Sequence, residues 1–446
     1  MDQGNGRALR KNCRRQFRCL PLLLTALMVA TDLTILDAGE VRPSQQSLRG
    51  LDWLNFLLAG ALAGLGPFVV VYLASRHWRP AEIGLVLTAG GVAGLLSQVP
   101  GGELLDAVRS KRCLVALGVA MIGLSAGILA LRPSFPLVLA AQVVQGTTGG
   151  FLGSAVSAIS LGLVGHAALA ERLGRNQRYA AIGAFTTSWL MGVLAYSFSY
   201  QIIFIATVVL AIATLVALSQ IRAADIHFAR ACGGASGNDK IERPTRIARR
   251  TICASYPLLV FTACIALFQF ANASMLPLLG ETLEQGRRSS LVISALIVVP
   301  QMVVAALAPW IAQRADAWGR RPLLLIGFGA LPVRAVCFGL VSDPAVLVAV
   351  QLLDGITGAA LGVLTPLIIA DITKGTGRFN LAQGFVGTFA GIGAALSTTA
   401  SGLVAENFGN AAGFAAVAGV ALIALLIVWT FMPETKTTPL VGATRA

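Results

Sequence analysis

Residues 135–163 read FPLVLAAQVVQGTTGGFLGSAVSAISLGL, a stretch with no charged residue and with small or apolar side chains around its whole circumference. A run of 18 or more apolar residues is the signature of a helix crossing the roughly 30 Å hydrocarbon layer of a bilayer. A strand crossing the same layer alternates apolar and polar residues, and this stretch does not. Comparable runs recur at about 51–74, 81–103, 113–131, 179–197, 200–220, 254–279, 290–312, 322–341, 345–370, 381–404 and 411–432, which makes twelve spans in 446 residues. Composition agrees. The chain is 56% hydrophobic and 12% charged with mean hydropathy +0.76, whereas a soluble domain carries about 25% charged residues. The expectation is an all-α membrane protein of twelve transmembrane helices.

The net charge of +14 does not mark a nucleic-acid surface, because the basic residues sit between the spans rather than in one stripe. Of the 34 Lys and Arg, five lie in the short loops at Arg76/Arg79, Arg132 and Arg287/Arg288, and Arg334 lies inside a span. The other 28 lie on the opposite side, together with both termini. The positive-inside rule places that side in the cytoplasm of a bacterial inner membrane and requires an even number of spans. Seven cysteines form no CxxC and three histidines are scattered, so neither a disulfide framework nor a metal site or other cofactor is expected.

Five segments follow. Residues 1–50 form a basic cytoplasmic extension, 51–220 and 254–432 two six-helix bundles, 221–253 a cytoplasmic linker and 433–446 a cytoplasmic tail. The linker holds Gly233, Gly234, Ser236, Gly237 and Asn238 ahead of the basic run Arg243–Arg250, so it builds no core and reads as flexible. Near the start, a basic cluster from Arg7 to Arg18 precedes an apolar run from Cys19 to Ala30, closed by Asp32 and Asp37. An extension in the cytoplasm or on the membrane surface, a signal or thirteenth span, and a misplaced start codon all remain open there.

The halves match each other. Asp106 precedes Arg109, Lys111 and Arg112, as Asp316 precedes Gly319, Arg320 and Arg321 at an offset of 210. Gln142-Val-Val-Gln145-Gly146 matches Gln351-Leu-Leu-Asp354-Gly355 at 209, and Gly174-Arg175-Asn176 is echoed by Gly377-Arg378-Phe379-Asn380. Parallel six-span repeats are the architecture in which two bundles rock about a site near the membrane midplane.

The loop Gly102-Glu-Leu-Leu-Asp106, with Arg109, Lys111 and Arg112, resembles the loop signature of the major facilitator superfamily. Asp316-Ala-Trp-Gly319-Arg320-Arg321-Pro322 is a cleaner copy, although Ala312 replaces its leading glycine, and Pro433-Glu434-Thr435-Lys436 also resembles the family. The resemblance covers about residues 48–436. Gly375 to Gly384 looks like a bacterial branch without an assigned substrate. The resemblance implies the major facilitator fold and a cytoplasmic gate latch, in which each aspartate at a helix end takes a cationic partner in one rocking state and releases it in the other. The competing reading is that these charges only obey topology and anchor helix ends. Two departures count against a standard multidrug antiporter. Gln142 stands where proton-linked members commonly carry arginine, and Ala180 to Val193 contains no proline.

Ionisable groups inside a membrane are costly and therefore functional candidates. Asp354 lies roughly 13 Å into the tenth span at 1.5 Å per residue. Gln351, Asp354 and Gly358 share one helical face, which Gln142, Gln145 and Gly149 repeat in the fourth span. The resemblance puts both spans at the central cavity, although amide-mediated helix packing also accounts for the glutamines. Arg334 is expected to anchor or to pair with Asp354, and Gln269, Asn272 and Asn55 are weaker candidates. A carboxylate at that depth with no cation near it could load and release a proton.

The chain has no Gly-x-x-x-x-Gly-Lys-[Ser/Thr] loop and no nucleophile constellation, so an enzyme is not expected. The expected function is secondary transport of a small solute, possible proton coupling included, by a monomer in the lipid bilayer. The alternative is a transporter-like sensor or assembly subunit without turnover. One carboxylate and several amides lean towards a neutral or cationic amphiphile over a multiply anionic solute.

Overall fold

A computed structural model describes residues 43–131, 134–234, 255–283, 289–341 and 343–436. The basic cluster and apolar run before residue 43, the linker from 235 to 254 and the tail beyond 436 lie outside the described residues. Among those described, twelve helices are long and apolar enough to cross a membrane. They are α1 (Gln45–Ser75), α2 (Pro80–Ala107), α3 (Lys111–Leu131), α4 (Phe135–Val164), α5 (Leu169–Ser197), α6 (Gln201–Ser219), α7 (Tyr256–Leu279), α8 (Ala295–Trp318), α9 (Arg320–Leu340), α10 (Pro344–Ile372), α11 (Phe379–Phe408) and α12 (Asn410–Phe431). Their starts follow local chemistry. Asp343 caps α10 by accepting from the amides of Ala345 at 2.8 Å and Val346 at 3.4 Å, with Pro344 in the first turn where its missing N–H costs nothing.

The internal repeat of the sequence is a repeat of packing. In the first half α1 packs on α5 and α6, α2 on α4, and α3 on α4 and α6. In the second half α7 packs on α11 and α12, α8 on α10, and α9 on α10 and α12. Two further seams, α2–α11 and α5–α8, join the halves. One apolar core lies wholly within residues 51–221, and the other joins the second half to Leu161, Leu169, Ala170, Leu173 and Ala181 through the α5–α8 seam. With no hydrophobic drive between helices in lipid, such seams depend on close van der Waals contact. Gly146 shows how close: a Cβ there would overlap the carbonyl oxygen of Gly90 in α2. Its repeat partner Gly355 also lies too close for a Cβ against Val303 and Pro300 of α8.

Two boundaries differ from the hydropathy reading. Helix α1 begins at Gln45, so residues 45–50 belong to a span rather than to the extension. Helix α5 begins at Leu169, ten residues before the apolar run, across Glu171, Arg172, Arg175 and Arg178. Its charges are accommodated because Asp52 of α1 is ion-paired with Arg172 and takes Arg175 at 2.6 Å. Arg172 also holds Asn176 at 2.7 Å, which in turn donates to Ser160 of α4 at 2.7 Å. Asp52, Arg172, Asn176 and Ser160 are all buried. Hydropathy finds the apolar middle of a helix and is blind to polar turns whose partners come from other helices.

Gly146→Ala should cost about 1–3 kcal/mol by overpacking, read as a lower melting temperature of the purified protein. Gly149→Ala, where an added Cβ meets nothing within 4 Å, should melt like the parent. Equal melting of the two variants would refute the tight α2–α4 seam.

Candidate functional site

A cavity of 740 Å³ lies between the halves, within the about 300–1,000 Å³ usual for small-molecule sites. Among the sequence candidates, Gln269, Asn272 and Asp354 line it, as does Asn55. Arg334 sits behind this wall, 2% exposed, and is ion-paired with Asp354 Oδ1. It also donates to Asn272 Oδ1 at 2.6 Å and approaches Met275 Sδ at 3.1 Å. The Asp354 side chain keeps 26% of its surface exposed, so the carboxylate faces the cavity while the cation is walled off. Because the cation is in contact, the separation that a lone proton-carrying carboxylate needs is absent in this conformation.

The glutamine pairs of the fourth and tenth spans divide differently than expected. Gln351 is fully buried and donates to the Leu296 carbonyl at 2.9 Å, facing α8 rather than the cavity. Gln142 and Gln145 line a smaller recess against Gly90, Gly94 and Gln98 of α2. Gly149 and Gly358 of the same faces do reach the central cavity. Sequence reasoning missed Gln98, Gln177, Gln301 and Gln383, which line the cavity from α2, α5, α8 and α11. Their one signal is an amide inside a span, a position where polar groups are costly.

At one end of the bundle the two halves are fastened together. Asp106, at the end of α2, accepts from the Asn380 amide at 3.2 Å, the Asn380 side chain at 2.8 Å and the Leu381 amide at 2.9 Å. These are free donors of the first turn of α11, where the helix dipole favours an anion. The partner of Asp106 is therefore the start of α11 and not an arginine. Below it Gly102 lets the helices touch, since a Cβ would overlap the Asn380 carbonyl, and Gly384 and Gly387 meet Gln98 in the same way. On the second seam Gly174 of α5 meets Ala308 and Ala312 of α8.

The basic residues of the first signature serve other ends. Lys111 is buried and donates to the carbonyls of Leu105 and Val108, closing the C-terminus of α2. Arg112 reaches the Ser219 carbonyl at 3.4 Å, and Arg109 is exposed. The first part of the stretch read as a flexible linker is ordered here. A 3-10 turn (Ala223–Asp225) and a short helix (Phe228–Ala231) carry Ala231 and Cys232 into full burial. The Phe379 amide donates to the Cys232 carbonyl at 3.0 Å, and the Gly375 amide to Gly233 at 2.7 Å. The Cys232 thiol lies 3.3 Å from Lys111 Nζ, and burial pushes it up to about 11.

The second signature stays within its own half. Asp316, with half its side-chain surface exposed, pairs with Arg320 at 2.9 Å, and Arg320 also holds Asp371 at 3.0 Å. Glu434 caps α9 by accepting from the amides of Arg320 at 2.9 Å and Arg321 at 3.1 Å. Burial raises its carboxyl, but these amides and that of Lys436 outweigh burial and hold it below the usual range. Gly319 sits at φ 97°, where a side chain would strain the backbone and strike Glu434. Arg321 reaches the Trp429 carbonyl.

The major facilitator superfamily family model matches residues 51–314 and 258–445, which together span both halves. The chain belongs to the major facilitator superfamily. An uncharacterised MFS-type transporter of Mycobacterium tuberculosis is 37% identical over 392 residues, covering 87% of this chain and 93% of the relative. The class B tetracycline resistance protein of Escherichia coli is 30% identical over 147 residues, 33% of this chain and 35% of that protein. Two solved structures share the fold. The human organic anion transporter MFSD10 superposes with TM-score 0.70 at 15% identity, covering 87% of this chain and all of that one. The Escherichia coli fucose:proton symporter FucP does so with TM-score 0.65 at 13% identity, covering 87% and 98%.

In this major facilitator, removing one member of a buried ion pair strands the other, at a cost of about 3–5 kcal/mol. Asp354→Asn should therefore lower the melting temperature by several degrees, and Asp354→Asn with Arg334→Met should regain most of the loss. A double variant no more stable than the single one would show that the pair does not hold α9 to α10.

Proposed function

We propose that the protein is a secondary active transporter that moves a small solute across the cytoplasmic membrane by rocker-switch alternating access. The observation that carries this reading is the fastened end. A solute-sized cavity lies between two pseudo-equivalent halves that are fastened at one end by the Asp106–α11 contact and by glycine-mediated seams, contacts that rocking of one half could break. We assign that end to the cytoplasm from the excess of Lys and Arg. The same assignment puts both chain termini in the cytoplasm.

Hydrogen bonds to a charged group contribute about 1.5–3 kcal/mol each, and a two-state equilibrium shifts about tenfold per 1.4 kcal/mol. Asp106 therefore sets the balance between states, while Asp316, which has no ion pair or hydrogen bond across the seam among the described residues, contributes mainly to the second half. Coupling to protons would require the Asp354–Arg334 pair to open during the cycle, with Asp354 taking up a proton as it separates. A sensor without turnover would keep the cavity and the latch but move no solute.

Asp106→Asn should raise labelling of a cysteine at Ser157, in the cavity wall, about tenfold from the cytoplasmic side of inside-out vesicles, whereas Asp316→Asn should change it little. Equal effects of the two variants, or none, would remove Asp106 as the latch. Orientation is checked separately. A cysteine at His77 should label in intact cells and one at Lys374 only after permeabilisation, and the reverse pattern would invert the assignment of the fastened end.

A further inference from the structure

Resting on that transport reading, we infer that the cavity selects a neutral, polyhydroxylated solute, bound by five glutamine amides that converge on it from five helices. Gln98 and Gln177 come from the first half, and Gln269, Gln301 and Gln383 from the second. All five are half-buried, and none makes a side-chain hydrogen bond to another described residue. Gln98 Oε1, packed towards Gly387 of α11, and Gln383 Nε2 are buried away from the cavity, so the amide atoms open to a solute are those of Gln177, Gln269 and Gln301 together with Gln98 Nε2 and Gln383 Oε1. Together they offer donors and acceptors, the mixed set that hydroxyl groups match.

Charge disfavours ionised solutes. The ionisable group on the described wall is Asp354, whose charge is already balanced by Arg334. A cation would have to take the carboxylate from that buried arginine, leaving it stranded. An anion would find no exposed cation on the described wall, because Arg334 is shielded behind Asp354 and Asn272. An apolar or aromatic solute would strip water from the amides and leave them unpaired, at about 1–3 kcal/mol for each buried group. The aromatic residue on the described wall, Phe268, is 2% exposed and offers no ring face for stacking. A site built from hydrogen-bonding groups discriminates strongly against ligands that lack their complement. The cation that a single lining carboxylate suggests in the sequence is disfavoured by its paired state.

The test is equilibrium binding of radiolabelled sorbitol, myo-inositol and sucrose, with tetraphenylphosphonium and citrate as charged comparators, to the full-length protein in lipid nanodiscs. Saturable binding of at least one polyol is expected, weakened at least tenfold in Gln177→Leu and in Gln301→Leu. Gln301→Asn, which keeps an amide, should lose less. Each variant is first matched to the parent in melting temperature and gel filtration. Saturable binding of none of the three polyols, tighter binding of either charged probe, or parent-like binding by both leucine variants overturns the inference. Entrance counterflow in proteoliposomes separates this from the transport reading. Polyol binding without counterflow would defeat transport and leave the ligand class standing. Counterflow of citrate or tetraphenylphosphonium would keep transport and defeat the ligand class.

Discussion

Every helix begins with amide donors that its own turns cannot satisfy, and at the fastened end of this molecule acids from elsewhere in the chain satisfy them. Asp106 of α2 serves α11 and Glu434 beyond α12 serves α9, while Asp225 beyond α6 accepts from the Ser44 amide and from the hydroxyls of Ser44 and Ser47 at the start of α1. The Glu434 contact lies within the second half and the Asp225 contact within the first, and each fastens its own half. The third crosses the seam and is the one whose loss would let the halves part. Aspartates with the same repeat position thus have different work: Asp106 joins the halves, while Asp316 fastens α8 to α9.

The ordered start of the linker adds a second attachment at the same place. Residues 227–234 pack against α4 through the His227 amide on Gly162 and against the start of α11 through Cys232 and Gly233. A segment covalently tied to one half and docked on the other is presented at a high effective concentration, so weak contacts suffice to hold the seam. Its carbonyls accept from Gly375, Phe379 and Asn380, which is why a glycine-rich stretch with no core of its own is ordered there.

The twelve spans were legible because hydropathy reports the apolar middle of each helix, and the halves were legible because Asp106/Asp316 and Gly146/Gly355 recur at nearly the same offset, 210 and 209. The meaning of the second landmark was not. Gln142-x-x-Gln145-Gly146 and Gln351-x-x-Asp354-Gly355 recur because Gly146 and Gly355 are the points of closest approach in the α2–α4 and α8–α10 seams. A periodic face in sequence therefore marked packing, and only Asp354 of those four polar residues reaches the central cavity. The partner of Asp106 was hidden for a different reason. Backbone donors belong to every residue and leave no mark in a sequence, whereas nearby arginines do. The cavity glutamines stand singly on five helices, and no spacing rule links residues that meet only when helices pack.

The pairing of Asp354 with Arg334 also bears on how the molecule meets the electric field of a membrane. A charge that crosses the full potential exchanges about 2.3 kcal/mol per 100 mV. Opposite charges that move together exchange almost nothing, whereas Asp52 in the other half pairs with both Arg172 and Arg175 and leaves that cluster with a net positive charge. If the halves rock as proposed, the Asp354–Arg334 pair gives voltage no handle. Any dependence of transport on membrane potential would then have to enter through other charges, a charged passenger among them.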